Sequence, residues 1–206
     1  MTSPERVLAL INAVRDLQKK SIQGDFVECG VWKGGSMLAA ALTLDFLNNH
    51  DQDLYLFDTF SGMTEPTEED VDISGVEAVD LLNQEERSEG SNIWCLAGLT
   101  VVKKTMGMSC YPKKQIHYVA GDVLDTLTDN APEKIALLRL DTDWYESTKH
   151  ELEVLFPRLV TGGVLIIDDY GHWKGAKKAV DEYFADNDVS ISLHKIDYTG
   201  RIAVKL

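Results

Sequence analysis

The sequence has few cysteines, few basic residues and no long apolar run. Each of these features excludes a class of protein or of binding partner. Its three cysteines, Cys29, Cys95 and Cys110, follow no spacing typical of a disulfide framework or a zinc site. No apolar run is long enough for a transmembrane helix. The first residues carry dispersed charges without a small-residue cleavage site, which predicts a helix and not a signal peptide. We therefore expect a protein of the reducing cytoplasm.

The deficit of basic residues bears on the partners. Lys and Arg number 20 against 34 Asp and Glu, so the net charge is -14. A surface this acidic repels nucleic-acid phosphates and anionic lipids, so neither nucleic acid nor a membrane surface is an expected ligand. The length of 206 residues and the apolar fraction of 44% fit one globular domain, residues 1–206, with a proper core.

Apolar periodicity predicts alternating strands and helices along most of the chain. The predicted helices are 7–17, 36–49, 92–108, 147–159 and 175–185. The predicted strands are 25–29, 54–57, 116–120, 135–140 and 164–167, followed by a hairpin of 191–196 and 202–206. Near-continuous apolar strands between helices indicate a parallel sheet covered on both faces. The expected fold is therefore α/β, a doubly wound, mostly parallel sheet of seven strands ending in an antiparallel hairpin.

A long polar connection interrupts this alternation. It begins at about Ser61, contains the acidic run 65–70 and, with the region up to Tyr111, forms a lid-like insertion of about 61–111. Connections of this length in compact domains are more often functional lids than plain crossovers.

A glycine-rich turn after the first strand predicts a ligand-binding loop. Glycine at Gly30 and Gly34 lets a ligand approach the backbone closely, and Ser36 opens the helix that follows. Asp58 ends the second strand about 20 residues further on, where an acid accepts hydrogen bonds from the ribose hydroxyls of a nucleoside. A nucleoside cofactor is therefore expected, and the spacing alone does not identify it.

The residue types around this turn favour S-adenosylmethionine over a dinucleotide. A dinucleotide site needs Gly-x-Gly-x-x-Gly with a pyrophosphate at the helix N-terminus, and here the ring of Trp32 replaces the second glycine. Glu28, at the end of the first strand, suits the amino group of a methionyl moiety. Asp122 is placed to meet the adenine amino group, although an acid at this position is nearly as often a turn residue.

Four carboxylates at two strand ends predict a cation site. Asp141 and Asp143 follow one apolar strand, and Asp168 and Asp169 follow the next. On neighbouring strands these carboxylates would repel strongly unless a cation lay among them. All-oxygen ligands indicate Mg²⁺, with Mn²⁺ and Ca²⁺ as alternatives, and zinc is not expected because only His172 lies nearby. A capping role for the aspartates stays open as the alternative.

These segments resemble the macrocin O-methyltransferase (TylF-type) family, which methylates sugar hydroxyls of macrolides and related natural products. The matching segments are 24–36, 54–63, 137–148 and 162–173. The resemblance implies a class I methyltransferase fold, S-adenosylmethionine as cofactor, dependence on magnesium and assembly as a homo-oligomer. Residue by residue, it implies Asp141, Asp168 and Asp169 as metal ligands and Asp143 as the base. The stretch 97–111 departs from the family pattern.

The expected reaction is methylation of a hydroxyl on a small-molecule acceptor, a sugar or a glycosylated natural product. The metal would bind two vicinal oxygens of the acceptor, and Asp143 would remove the proton, with His172 as the second candidate for the base. His172 and Trp173 are also candidates for lining the acceptor pocket. Three alternatives stay open: a catechol-type O-methyltransferase, an NAD-dependent oxidoreductase and a non-catalytic metal or nucleoside sensor.

Overall fold

The computed structural model describes residues 2–88, 91 and 93–206. These residues form a seven-stranded sheet with helices on both faces. The strands are β1 (Asp25–Cys29), β2 (Leu54–Asp58), β3 (Ile116–Ala120), β4 (Ile135–Leu140), β5 (Leu159–Ile167), β6 (His194–Lys195) and β7 (Arg201–Val204). The helices are α1 (Pro4–Lys19), α2 (Gly35–Phe46), α3 (Ala78–Asn83), α4 (Leu99–Met106), α5 (Val123–Asn130), α6 (Tyr145–Leu155) and α7 (Lys174–Asp186).

The order of the strands confirms the predicted fold class. The sheet runs β3-β2-β1-β4-β5-β7-β6, and the strands from β3 to β5 are parallel while β7 and β6 are antiparallel. The chain builds outward from β1 through β2 and β3, then returns to the other side of β1 at β4. Because the direction of winding reverses between β1 and β4, a crevice opens beyond their carboxyl ends, where open α/β sheets bind ligands.

Alternate residues of the central strands bury their side chains in two separate helical layers. Phe26 of β1 packs in the layer with α1, α2 and α4, whereas its neighbour Val27 packs in the layer with α5, α6 and α7. Leu137 and Leu138 divide in the same way on β4. A strand covered on both faces needs apolar residues at nearly every position, which explains the continuous apolar runs. Arg139 is a charged residue inside such a strand.

Helix α1 begins at a well-defined cap beside the sheet. Ser3 has extended backbone geometry, its hydroxyl accepts the amide N–H of Arg6, and Pro4 occupies the first turn. Both features are favoured at helix N-termini. The Ser3 hydroxyl also donates to Asp197 in the connection between β6 and β7, at 2.7 Å. This cap fixes the first turn of α1 at the carboxyl edge of the sheet.

The helix predicted over 92–108 is wrong in its first half. Helix α4 covers only Leu99–Met106, and the backbone of Cys95 is left-handed, with φ of 47°. Ile93 and Trp94 instead pack with Trp144, so tertiary packing overrides the helical spacing of the apolar residues. The predicted start at Asn92 lies outside the described residues.

Several other boundaries also differ from the prediction. The helix predicted over 147–159 begins at Tyr145 and ends at Leu155, because a 3-10 turn at Phe156–Arg158 leads directly into β5. The helix predicted over 36–49 ends at Phe46. Helices α3 and α5 were not predicted, since both are short. In the part of the chain that the structure describes, no helix combines the length and apolar character needed to cross a bilayer.

Candidate functional site

A cavity of about 390 Å³ lies beyond the carboxyl ends of β1, β2, β4 and β5. Most of the candidate site residues line it: Gly30, Ser36, Asp58, Asp122, Asp141, Asp143, Asp168 and Asp169. Glu28, Gly34 and His172 are not among its lining residues. The topology therefore brings the predicted cofactor loop and the predicted metal ligands to one cavity.

Gly30 is the point where the β1 loop crosses the end of β4. Its φ is 78°, and a Cβ at this position would lie 2.1 Å from the carbonyl oxygen of Asp141. The amide of Asp141 donates to the carbonyl of Cys29 at 2.9 Å, which holds the two loops together. No residue with a side chain fits this crossing without moving one of the loops. The glycine thus determines how closely the two halves of the site approach each other.

Replacing Gly30 with alanine is expected to destabilise the protein markedly. Left-handed geometry costs a non-glycine residue about 1–3 kcal/mol, and the contact with Asp141 adds to this cost. At about 2–4 °C per kcal/mol for a chain of this size, the backbone cost alone should lower the midpoint of thermal unfolding by about 2–12 °C, and the contact with Asp141 should lower it further. Differential scanning calorimetry measures this, with Gly35→Ala as the control because a Cβ at Gly35 meets no atom of the described residues within 4 Å. Equal melting temperatures for the two variants would contradict this account of the crossing.

Asp58 links the ends of β1 and β2 through backbone hydrogen bonds. Its Oδ2 accepts the amides of Val31 at 2.6 Å and Trp32 at 3.0 Å, and its Oδ1 accepts the amide of Phe60 at 2.6 Å. Burial raises the pKa of Asp58 above its usual value, and these hydrogen bonds oppose that shift. The carboxylate thus shapes the predicted cofactor loop besides lining the cavity.

Asp122 is the N-cap of α5. Its side chain accepts the amide of Leu124 at 3.0 Å, so the turn role weighed for this position is real. The residue also lines the cavity, as the cofactor prediction requires.

Glu28 lies behind the cavity, with only 1% of its surface exposed. Its Oε1 accepts a hydrogen bond from Arg139 at 2.7 Å, whereas its Oε2 is buried with no hydrogen-bond partner among the described residues. Burial raises the pKa of Glu28 to about 7, against the opposing charge of Arg139. A buried acceptor without a partner is costly and therefore indicates a missing donor.

Asp141, Asp168 and Asp169 form the carboxylate cluster. One oxygen of each lies within 4.8 Å of the others. The carboxyl of Asp141 contacts that of Asp168, and the carboxyl of Asp169 contacts that of Asp143. Burial, together with the neighbouring carboxylates, raises the pKa values of Asp141 and Asp169 well above their usual value. The surroundings therefore disfavour the charged forms of these two carboxyl groups.

Two guanidinium groups stabilise one member of this cluster. Asp168 is buried, with Oδ1 accepting from Arg139 at 2.6 Å and Oδ2 accepting from Arg6. Although burial disfavours its charge, Arg139 and Arg6 hold the pKa of Asp168 below its usual value. Arg6 also contacts Asp197 at 3.0 Å, so the first turn of α1 is tied to the cluster and to the C-terminal hairpin.

Asp143 combines left-handed backbone geometry with an unusual pKa. Its φ is 69°, which aspartate tolerates better than most residues and which is often found at functional sites. Burial raises its pKa to about 7, against the contact with Asp169. The residue between the paired aspartates, Thr142, donates to the buried Glu151 at 2.9 Å. The loop is thus anchored to α6 while Asp143 faces the cavity.

The connection between β2 and α4 forms one wall of the cavity through Gly62, Met63, Thr64 and Cys95. The indole N–H of Trp144, the residue after Asp143, donates to the carbonyl of Thr64 at 3.1 Å. The Trp144 ring also packs edge-on against Trp173, with ring centroids 5.0 Å apart. The wall therefore packs against both loops that carry the carboxylates, residues 141–144 after β4 and residues 168–173 after β5.

His172 lies outside the cavity lining. Its ring packs against Trp173 at 5.0 Å and Tyr198 at 6.1 Å between centroids. Its Nδ1 is buried and has no hydrogen-bond partner among the described residues. The position makes it a weaker candidate for the base than Asp143, which does line the cavity.

Arg139, Arg6 and Glu151 are not among the site residues predicted from the sequence. A signal was present for Arg139, because a charged residue inside a buried strand requires a charged partner. No comparable signal marked Arg6 or Glu151, since both lie on helices whose burial depends on tertiary packing.

Comparisons with known proteins agree on one family. The family model described as Macrocin-O-methyltransferase (TylF) matches residues 1–204. Demethyldecarbamoylnovobiocin O-methyltransferase of Streptomyces niveus is 30% identical over 200 residues, which are 97% of this chain and 73% of that protein. A tetracenomycin rhamnosyl 4'-O-methyltransferase of Streptomyces olivaceus is 32% identical over the same shares of the two chains. The solved structure of the O-methyltransferase NovP superposes with a TM-score of 0.84 at 28% identity, covering 98% of this chain and 79% of NovP.

Proposed function

The chain belongs to the macrocin-O-methyltransferase (TylF) family of O-methyltransferases, and from this premise we propose that it transfers a methyl group from S-adenosylmethionine to a hydroxyl of a glycosylated small molecule. By their names, the Streptomyces niveus relative methylates demethyldecarbamoylnovobiocin, and the Streptomyces olivaceus relative is a 4'-O-methyltransferase of a rhamnosyl tetracenomycin. The observation that carries the proposal is the single cavity shared by the glycine crossing at Gly30 and the three-aspartate cluster.

Three features of the site fit the cofactor. Glu28, behind the cavity lining, has a buried Oε2 with no hydrogen-bond partner among the described residues, and such an acceptor suits an ammonium group. Gly30 leaves a cradle that any Cβ would fill, and Asp58 lines the cavity next to it. A cavity rich in carboxylates also favours a sulfonium cation over a dinucleotide pyrophosphate, which would be repelled.

The cluster also fits a divalent cation. Asp141, Asp168 and Asp169 would hold it, because they offer carboxylate oxygens close together, and hard oxygen donors select Mg²⁺ or Mn²⁺. Burial and the neighbouring carboxylates raise the pKa values of Asp141 and Asp169, and a cation held among them would favour their charged forms. When bound, such an ion supplies Lewis-acid activation and a template for two acceptor oxygens.

The side chains and loops of this chain would perform the remaining steps. Asp143, with a pKa near neutrality, takes the proton from the acceptor hydroxyl, so that the oxygen is negatively charged as it receives the methyl group. The cavity wall at Met63 and Thr64 confines the acceptor against the carboxylate loops and excludes water. Confinement of both reactants reduces the entropy cost of bringing them together.

Calorimetric titration with S-adenosylhomocysteine and with NAD tests the cofactor assignment. We expect S-adenosylhomocysteine to bind at micromolar concentration and NAD to give no saturable heat, because Trp32 replaces a glycine of the pyrophosphate loop and the carboxylates lining the cavity repel a pyrophosphate. Methyl transfer to glycosides and to catechols then tests the acceptor class, and turnover on glycosides should dominate. Binding of NAD in preference to S-adenosylhomocysteine would refute the cofactor, and a preference for catechols would refute the acceptor class alone.

A further inference from the structure

We propose that Arg139 is a positioning residue that preorganises the cation site by holding carboxylates from three neighbouring strands. This inference rests on the proposed cation site and goes beyond it, because it assigns a role to a residue that would not itself touch the ion. The juxtaposition that carries it is a buried guanidinium bonded at once to Glu28, Asp141 and Asp168.

The position of Arg139 in the sheet explains why it reaches all three. It lies on β4, between β1 and β5, and its Cα is paired with Glu28 on one side and with Ile166 on the other. Asp141 lies two residues after Arg139, and Asp168 lies two residues after Ile166. A side chain at this position therefore points toward the same layer as the carboxylates at the ends of both neighbouring strands.

The hydrogen bonds use the planar shape of the guanidinium. Nη1 donates to Glu28 Oε1 and to Asp141 Oδ2, each at 2.7 Å, and Nη2 donates to Asp168 Oδ1 at 2.6 Å. These are the short distances of charge-assisted hydrogen bonds. An ammonium group is a point charge without this fixed fork, so lysine at this position could not hold three carboxylates in one plane.

Because Arg139 is buried, its hydrogen bonds hold the carboxylates of Asp141 and Asp168 in fixed orientations. The Arg139 side chain is only 3% exposed, so water cannot replace its hydrogen bonds. Without the guanidinium, Asp141 and Asp168 would repel each other at contact distance, and Glu28 would be a buried charge with no partner. Arg139 fixes one oxygen of Asp141 and one of Asp168, while Arg6 holds the second oxygen of Asp168. Arg139 therefore sets the orientation of the Asp141 carboxylate and, together with Arg6, that of Asp168.

Cation affinity is the property that separates positioning from simple stabilisation. Residues that hold metal ligands typically contribute about 10- to 100-fold in metal affinity. We expect Arg139→Met to weaken Mn²⁺ binding by about this factor, and Arg139→Lys, which keeps the charge and loses the fork, to give an intermediate loss. A residue that served only folding would lower the melting temperature and leave the affinity of the folded protein unchanged.

The experiment is titration of Mn²⁺ into the apo-protein, followed by electron paramagnetic resonance of the free ion, at a temperature where each variant is folded by circular dichroism. Arg158→Met is the matched control, because Arg158 donates to the backbone carbonyl of Ala131 at 2.7 Å and to no carboxylate among its described hydrogen bonds. It should bind Mn²⁺ as the wild type does. If Arg139→Met does not fold, Arg139→Lys decides the question.

Equal Mn²⁺ affinity in folded Arg139 variants, or an equal loss in Arg158→Met, would overturn the positioning role. Tighter binding in Arg139→Met would also overturn it, because Arg139 would then compete with the ion for the carboxylates. A wild-type protein that binds no Mn²⁺ would instead refute the proposed cation site, so the two failures are distinguishable.

Discussion

Replacement of Asp143 with asparagine is expected to lower kcat by about 10²–10⁴-fold while leaving the affinity for S-adenosylhomocysteine unchanged. Asparagine has almost the same shape and tolerates left-handed backbone geometry as well as aspartate does, so the φ of 69° at this position should be kept. The substitution removes the ability to accept the proton of the acceptor hydroxyl and keeps a polar side chain beside Asp169. Steady-state kinetics on a glycoside substrate, with calorimetry for the cofactor product, measure both quantities.

A matched control for this variant is Asp188→Asn. Asp188 is exposed after α7 and also has a left-handed backbone, with φ of 51°, but it does not line the cavity. It should retain wild-type kcat, which would show that the effect at Asp143 arises from the site and not from the backbone geometry. If Asp143→Asn retained full activity, Asp143 would not be the base, and a parallel His172→Asn variant would identify whether that histidine is.

Removal of one proposed cation ligand is expected to have the second large effect. Lewis-acid activation by a bound cation contributes several kcal/mol, so Asp169→Asn should lower kcat/KM by about 10³-fold or more. Asp169 is the most informative ligand to change, because Asp168 and Asp141 are both bonded to Arg139 and their loss would also leave that guanidinium with fewer partners. The measurement is kinetics over a range of Mg²⁺ concentrations, combined with Mn²⁺ titration.

Asp122→Asn is the control for cation binding. Asp122 lines the same cavity and caps α5, and asparagine caps helices as well as aspartate does. This variant should keep its Mn²⁺ affinity, whereas Asp169→Asn should lose it. Wild-type activity in Asp169→Asn, or in wild-type protein treated with a chelator, would refute the role of the cation.

The sheet was predictable because its strands are buried on both faces. Residues such as Phe26 and Val27 face different helical layers, so both must be apolar, and the continuous runs mark the strands directly. Because the carboxyl ends of parallel strands lie at one edge of the sheet, the acidic residues that follow these runs must lie at that edge. This is why the strand pattern placed Asp141, Asp143, Asp168 and Asp169 at one edge, while the choice of three of them as ligands came from the family resemblance. The structure brings oxygens of Asp141, Asp168 and Asp169 within 4.8 Å of one another.

The connection between β2 and α4 was not predictable in detail. Its apolar residues serve a small cluster around Trp144 and Trp173 rather than a helix face, so their spacing suggested a helix that exists only from Leu99 onward. Long-range partners were hidden for the same reason. Arg6 lies in the first turn of α1, an ordinary amphipathic helix. No feature of the neighbouring sequence indicates that its side chain reaches Asp168, a residue 162 positions away.

The proposed function depends on a divalent cation among Asp141, Asp168 and Asp169, beside the bound methyl donor. A crystal structure with S-adenosylhomocysteine and Mn²⁺ would locate the ion by anomalous diffraction from manganese. We expect a strong anomalous peak within coordination distance of all three carboxylates, with the cofactor product in the same cavity next to Gly30. A map with the cofactor product bound and no peak between these carboxylates would contradict it.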